Sequence, residues 1–116
     1  MLDLESSSSS GTCYGLSTTA MVAWIKSFSD RYYSKTGRYP MIYTTNSWWN
    51  SCTGNSAAFS STNPLVLARY STATGTIPGG WSYQTIWQNS DSYTYGGDSD
   101  IFNGSQARLV ALATGE

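Results

Sequence analysis

Asp3 and Glu5, in Leu2-Asp3-Leu4-Glu5, are the residues whose spacing could do chemistry. Met1 to Glu5 alternates like a short buried strand, and positions i and i+2 of a strand face the same way, about 6.5–7 Å apart along the chain. Two neighbouring carboxylates cannot both ionise freely, so one pKa should rise and supply an acid at neutral pH. Glycoside cleavage needs such a proton for the leaving oxygen, with negative charge near a developing oxocarbenium ion. The plainer alternative is a solvated acidic pair beside a loop. A second pair, Asp98 and Asp100, lies in Gly97-Asp98-Ser99-Asp100-Ile101-Phe102-Asn103-Gly104. That segment lacks EF-hand spacing, and on its own it reads as turn-capping aspartates.

Composition narrows the chemistry further. The 116 residues include no histidine, which excludes Ser-His-Asp and Cys-His pairs and HExxH zinc sites. The residues three before Lys26 and Lys35 are Ala23 and Tyr32, so a Ser-Lys nucleophile fails as well. Cys13 and Cys52 are too few for a four-ligand zinc site and do not have CxxC spacing. Neither a metal nor a cofactor is expected, so carboxylates would have to carry any catalysis. A net charge of -1 with six basic residues leaves no electrostatic footprint for nucleic acid. No apolar run approaches the roughly 18 residues that cross a membrane.

Only 11% of residues are charged, against a usual value of about 25%, while there are 5 Trp and 9 Tyr. Such a surface is wetted by hydroxyls and amides, as is common in proteins that handle sugars. The length fits a single small domain, and 40% apolar residues can fill its core. Met1 is followed directly by Leu2-Asp3-Leu4-Glu5 without a basic stretch, so no signal peptide is read and the start looks internal. The cysteine pair fits either one disulfide in an oxidising compartment or two buried thiols. Asn103-Gly104-Ser105 has the pattern of a glycosylation acceptor.

The elements that must position these residues are legible in outline. Ser6 to Gly11 reads as a flexible loop after the first strand. Ser17 is a good N-cap for a helix whose stripe is Met21, Trp24, Ile25, Phe28 and Tyr32, with Trp24 and Phe28 facing the core. Gly37 and Pro40 stop it. Met41 to Thr45 is a strand, Asn46 to Asn55 a loop with a helical turn, and Leu65 to Tyr70 a strand buried on both faces. Trp81 to Gln88 has strand composition, with Tyr83, Thr85 and Trp87 on one side. Tyr93 to Gly97 is a turn, Asp98 to Phe102 a short strand, and Ser105 to Ala113 a final amphipathic helix. This is α/β order, for which a (β/α) barrel is one natural home, but such barrels take about 200–250 residues.

These segments together carry a resemblance. Leu2-Asp3-Leu4-Glu5, Cys13-Tyr14-Gly15-Leu16-Ser17, Tyr39-Pro40-Met41-Ile42-Tyr43-Thr44, Leu67-Ala68-Arg69-Tyr70, Trp87-Gln88 and Asp98 to Gly104, in that order, resemble glycoside hydrolase family 25, the Chalaropsis-type lysozymes or N-acetylmuramidases. The match covers the C-terminal portion of the family's domain. It implies a partial barrel, the C-terminal half of a (β/α)5(β)3 type, in an enzyme that cleaves the β-1,4 bond between N-acetylmuramic acid and N-acetylglucosamine in peptidoglycan. Residue by residue, it implies Glu5 as general acid/base, Asp3 and Asp98 as its catalytic partners, and Tyr43, Tyr70, Trp87, Gln88 and Asp100 as substrate-binding residues. It also implies a Cys13–Cys52 disulfide and a secreted protein.

The sequence departs from the family at several positions. The first-strand aspartate of the family has no counterpart, Val66 stands where members often have Trp, Asn89 follows Trp87-Gln88 where an aromatic is common, and the run Ser6 to Ser10 is plainer than usual. Half a barrel has open edges, so the expected partners, besides peptidoglycan or another N-acetylated glycan, are a second copy of the chain or a separate N-terminal half. The alternative function is an inactive half-barrel or designed scaffold that keeps a sugar-binding groove.

Overall fold

The computed structural model describes residues 1–115. In chain order the elements are β1 (Leu2–Asp3), α1 (Thr18–Thr36), β2 (Ile42–Thr44), α2 (Asn46–Thr53), β3 (Leu65–Ala68), β4 (Ile86–Ser90), β5 (Ser99–Phe102) and α3 (Gln106–Thr114). The strands form one sheet in the order β1-β2-β3-β4-β5. The first four are parallel, and β5 returns antiparallel to β4.

The two-residue period of the strands divides the sheet into two unlike faces. Leu2, Leu4, Ile42, Leu65 and Leu67 share one face and form the core with Met21 and Ile25 of α1 and Trp48, Trp49 and Cys52 of α2. On the other face Asp3, Tyr43, Val66 and Ile86 lie in register across four strands, with Ala68, Gln88 and Asp100 in the next row. This is the face that a (β/α) barrel turns inward. β3 is buried at all four positions, as its continuous apolar run predicts. Asn63 ties the core's lower end together by donating to Ser29 Oγ and to the Pro40 carbonyl, each at 2.9 Å.

Several local expectations change. In α1 the buried line is Met21, Ile25 and Ser29, while Trp24, Phe28 and Tyr32 form a separate stacked row, 48%, 38% and 37% exposed. Trp24 and Phe28 therefore do not face the core, because the 21/25/29 row already fills the contact with the sheet and Ser29 is needed there by Asn63. Residues 46–53 are a full helix rather than a loop with one turn. Thr45 caps it by accepting from the Trp48 N–H at 3.1 Å, and Gly54 ends it in the left-handed conformation.

Strand β4 begins at Ile86, later than composition predicts. Before it, Gly79 takes a φ of 63° and lies so close to the Trp49 and Trp81 rings that a side chain there would strike both. That turn sends Trp81 into the core, where its indole donates to the Asn63 carbonyl at 2.8 Å. Ser6 to Gly11 is a closed turn, with Ser7 and Gly11 exchanging backbone hydrogen bonds. The α3 helix forms as expected but has no buried residue.

Candidate functional site

Parallel strands bring their C-terminal ends together, and β1 places its carboxylates there. Asp3 and Glu5 flank buried Leu4, whose N–H continues the ladder by donating to the Tyr43 carbonyl at 2.9 Å. Both carboxylates are exposed at the open end of the face that β1 shares with Tyr43. Loss of hydration raises the Glu5 pKa above its ordinary value, and the neighbouring Asp3 raises it further through its charge and a hydrogen bond. The i, i+2 spacing thus sets Asp3 beside Glu5, and the Asp3 charge contributes to the rise at Glu5.

Four further residues join, from β2, from beyond the end of β3, from β4 and from just before β5. The Tyr43 and Tyr70 hydroxyls both donate to Gln88 Oε1, at 2.8 and 2.9 Å. The Gln88 amide donates to Asp98 Oδ2 at 3.3 Å, so Asp98 is linked to Tyr43 through one side chain. Burial raises the Tyr43 pKa most, followed by the Tyr70 hydroxyl and the negative charges of Glu5 and Asp3. Tyr43 accordingly remains a neutral donor between the carboxylates of β1 and the amide of β4.

Asp100 lies opposite Gln88 in register and is exposed. Trp87 is not brought to this group. It alternates away from Gln88, aligns with Leu67 and Ile101, and donates its indole N–H to the Arg69 carbonyl at 2.9 Å. Tyr70 remains 54% exposed and offers a free ring face. A cleft of about 310 Å³ opens beside Glu5, lined by Ser6, Thr12, Thr45, Ser47 and Trp48. Its lining is mainly hydroxyl-bearing and suits a polar ligand. Among the described residues no group of three or more acidic or cysteine side chains could hold a metal ion.

Cys13 and Cys52 form a disulfide that ties the loop after β1 to α2. The neighbouring Tyr14 donates its hydroxyl to the Glu5 carbonyl at 2.6 Å. In the sequence Tyr14 stands out only as part of Cys13-Tyr14-Gly15-Leu16-Ser17. A contact between an aromatic hydroxyl and a backbone oxygen nine positions away leaves no periodic trace.

Residues 1–98 match the glycosyl hydrolases family 25. The chain belongs to that family. It is 68% identical over 116 residues to an N,O-diacetylmuramidase from Chalaropsis sp, covering 99% of this chain and 55% of that protein. Its fold superposes on a muramidase from Trichobolus zukalii with a TM-score of 0.96 and 63% identity, covering 100% of this chain and 56% of that one. A family GH25 lysozyme from Aspergillus fumigatus gives a TM-score of 0.94 at 56% identity, with 97% of this chain and 55% of that one covered. The chain spans about half the length of the relatives it matches. As a family 25 chain it carries a portion of a (β/α) barrel-like fold, with the carboxylate-bearing face of the sheet open to solvent at β1.

Proposed function

We propose that the protein is a peptidoglycan-hydrolysing N-acetylmuramidase that cleaves the β-1,4 bond between N-acetylmuramic acid and N-acetylglucosamine, and that Glu5 is its general acid/base. The observation that carries this reading is the Asp3–Glu5 pair, projecting on one face from the C-terminal end of β1, with the Glu5 pKa raised. Membership of family 25 and the muramidase relatives support it.

In this mechanism the Glu5 carboxylic acid gives its proton to the glycosidic oxygen as the bond to C1 breaks, and N-acetylglucosamine leaves as an alcohol. The carbonyl oxygen of the muramic acid N-acetyl group attacks C1 from the opposite side. Asp3 or Asp98 orients that acetamide and balances its positive charge. Water then opens the resulting ring, losing its proton to the Glu5 carboxylate and restoring the acid. Tyr43, Tyr70, Gln88 and Asp100 would bind the sugar. Gln88 would hold the tyrosine hydroxyls and Asp98 in one arrangement, and the Tyr70 ring would stack on a sugar face. Trp87 would act from behind the sheet by bracing the strand end at Arg69. The disulfide fits a secreted protein working in an oxidising compartment.

Release of new reducing ends from purified peptidoglycan tests the assignment, with the protein and its Glu5→Gln variant measured side by side. Reducing-end muramic acid that disappears in the variant is the expected result. Hydrolysis by the variant at the parent rate would remove Glu5 from its role. A chain that binds glycan but releases no ends would favour the alternative of an inactive sugar-binding half-barrel, a reading prompted by its sharing only about half the length of its relatives.

A further inference from the structure

Tyr14 has a backbone conformation that needs a cause. Its φ is 56°, in the left-handed region, and among the described residues Asn55 is the other non-glycine residue there. Asparagine visits that region readily, but a bulky aromatic does so only where its surroundings hold it. Four contacts hold this one. The preceding residue, Cys13, is bonded to Cys52 of α2, and the carbonyl before that, on Thr12, accepts the Trp48 indole N–H at 2.7 Å. Two residues later the Leu16 N–H closes a turn onto the Cys13 carbonyl at 3.0 Å. The fourth contact is the Tyr14 hydroxyl, which reaches the Glu5 carbonyl at 2.6 Å.

That carbonyl sits where regular pairing has run out. The last β1 ladder bond is made by Leu4, and the next backbone pairing along the chain is the Ser7–Gly11 turn. We propose that Tyr14 is a positioning residue for Glu5, fastening its peptide unit to the Cys13–Cys52 bridge so that the Glu5 carboxyl stays beside Asp3. The assignment rests on reading Glu5 as the acid, and it makes that acid's placement dependent on an intact disulfide. The titratable groups facing Glu5 are Asp3 and Tyr43. A released peptide unit would let the already exposed carboxyl swing away from Asp3.

The test is carbon-detected NMR titration of the Glu5 carboxyl in the parent, in Tyr14→Phe, in Tyr14→Gly and in the reduced parent, with thermal melts alongside. In both variants and after reduction, the Glu5 midpoint should fall toward the ordinary glutamate value. Tyr14→Gly accepts the positive φ without strain, so it should melt no lower than Tyr14→Phe while its Glu5 midpoint still falls. A merely structural role would move melt and midpoint together. Variants that titrate at Glu5 as the parent does would overturn the proposal. Reduction that leaves Glu5 unmoved would overturn the anchoring through Cys13. Because the titration contains no glycan, failure of the hydrolase reading would appear separately, in the reducing-end assay.

Discussion

Gln88 is where the site's polar groups meet. One carbonyl oxygen takes two tyrosine hydroxyls while the amide of the same side chain reaches Asp98. Gln88→Leu leaves the half-buried Tyr43 hydroxyl without this acceptor, and it should lower stability by about 1–3 kcal/mol in urea unfolding. Glu5 makes a prediction of opposite sign. Its folded pKa is raised, so the folded state binds its proton more tightly than the unfolded chain does. The stability linked to that proton is fully present below the unfolded value of about 4.3 and is lost as pH rises through the folded pKa. Glu5→Gln should therefore melt above the parent at pH 7 and level with it below about pH 4. A variant that gains equally at both pH values would mean that protonation is not the cause. At this scale the sequence was informative about Asp3 and Glu5, because i, i+2 spacing has one meaning in a strand. It did not separate Trp87 from its neighbour Gln88, which takes the other face.

Among the elements, α1 separates what periodicity can tell from what packing decides. The 3.6-residue repeat identifies a helix, and Ser17 and Gly37 are its caps. The repeat cannot say which of two adjacent apolar rows meets the sheet. Ile25 is fully buried, whereas Phe28 is 38% exposed. Ile25→Ala should cost about 2–5 kcal/mol, while Phe28→Gln, which gives up a part-exposed stacked ring, should cost clearly less, about 1 kcal/mol. Equal costs at the two positions would restore the single-stripe reading. The α2 helix was hidden for a different reason. Its sequence, Asn46–Thr53, contains no strong helix former, so its cap, its disulfide and the burial of Trp48 and Trp49 make it a helix.

Over the whole molecule, the radius of gyration is 14.5 Å, above the roughly 13 Å expected for a compact chain of this length. Among the described residues β1 pairs only with β2 and β5 only with β4, so the sheet has two open edges. The Trp24–Phe28–Tyr32 row and Leu109 and Val110 of α3 add exposed apolar surface. Such edges and patches are templates for association. The 116-residue chain is therefore expected to elute above its 12.6 kDa monomer mass in a concentration-dependent manner, and a sharp monomer peak at all concentrations would mean that its edges are blunted. The disulfide closes a separation of 39 residues. Its reduction should cost about 2–4 kcal/mol in denaturant unfolding; an unchanged midpoint would show that the loop is held by other contacts.

By itself the sequence determined the chemistry available: no imidazole, two carboxylates on one face of a strand, aromatic side chains in quantity, and the motif order of family 25. It also determined α/β order and the buried character of β3, since both follow from local period and composition. Tertiary structure alone decided which α1 row is buried, where β4 begins, and that Tyr43, Tyr70, Gln88 and Asp98 share one hydrogen-bonded group. It also brought Tyr14 onto Glu5. These outcomes depend on contacts between residues far apart in the chain, or on a choice between faces of similar polarity. Local spacing carries no information about either.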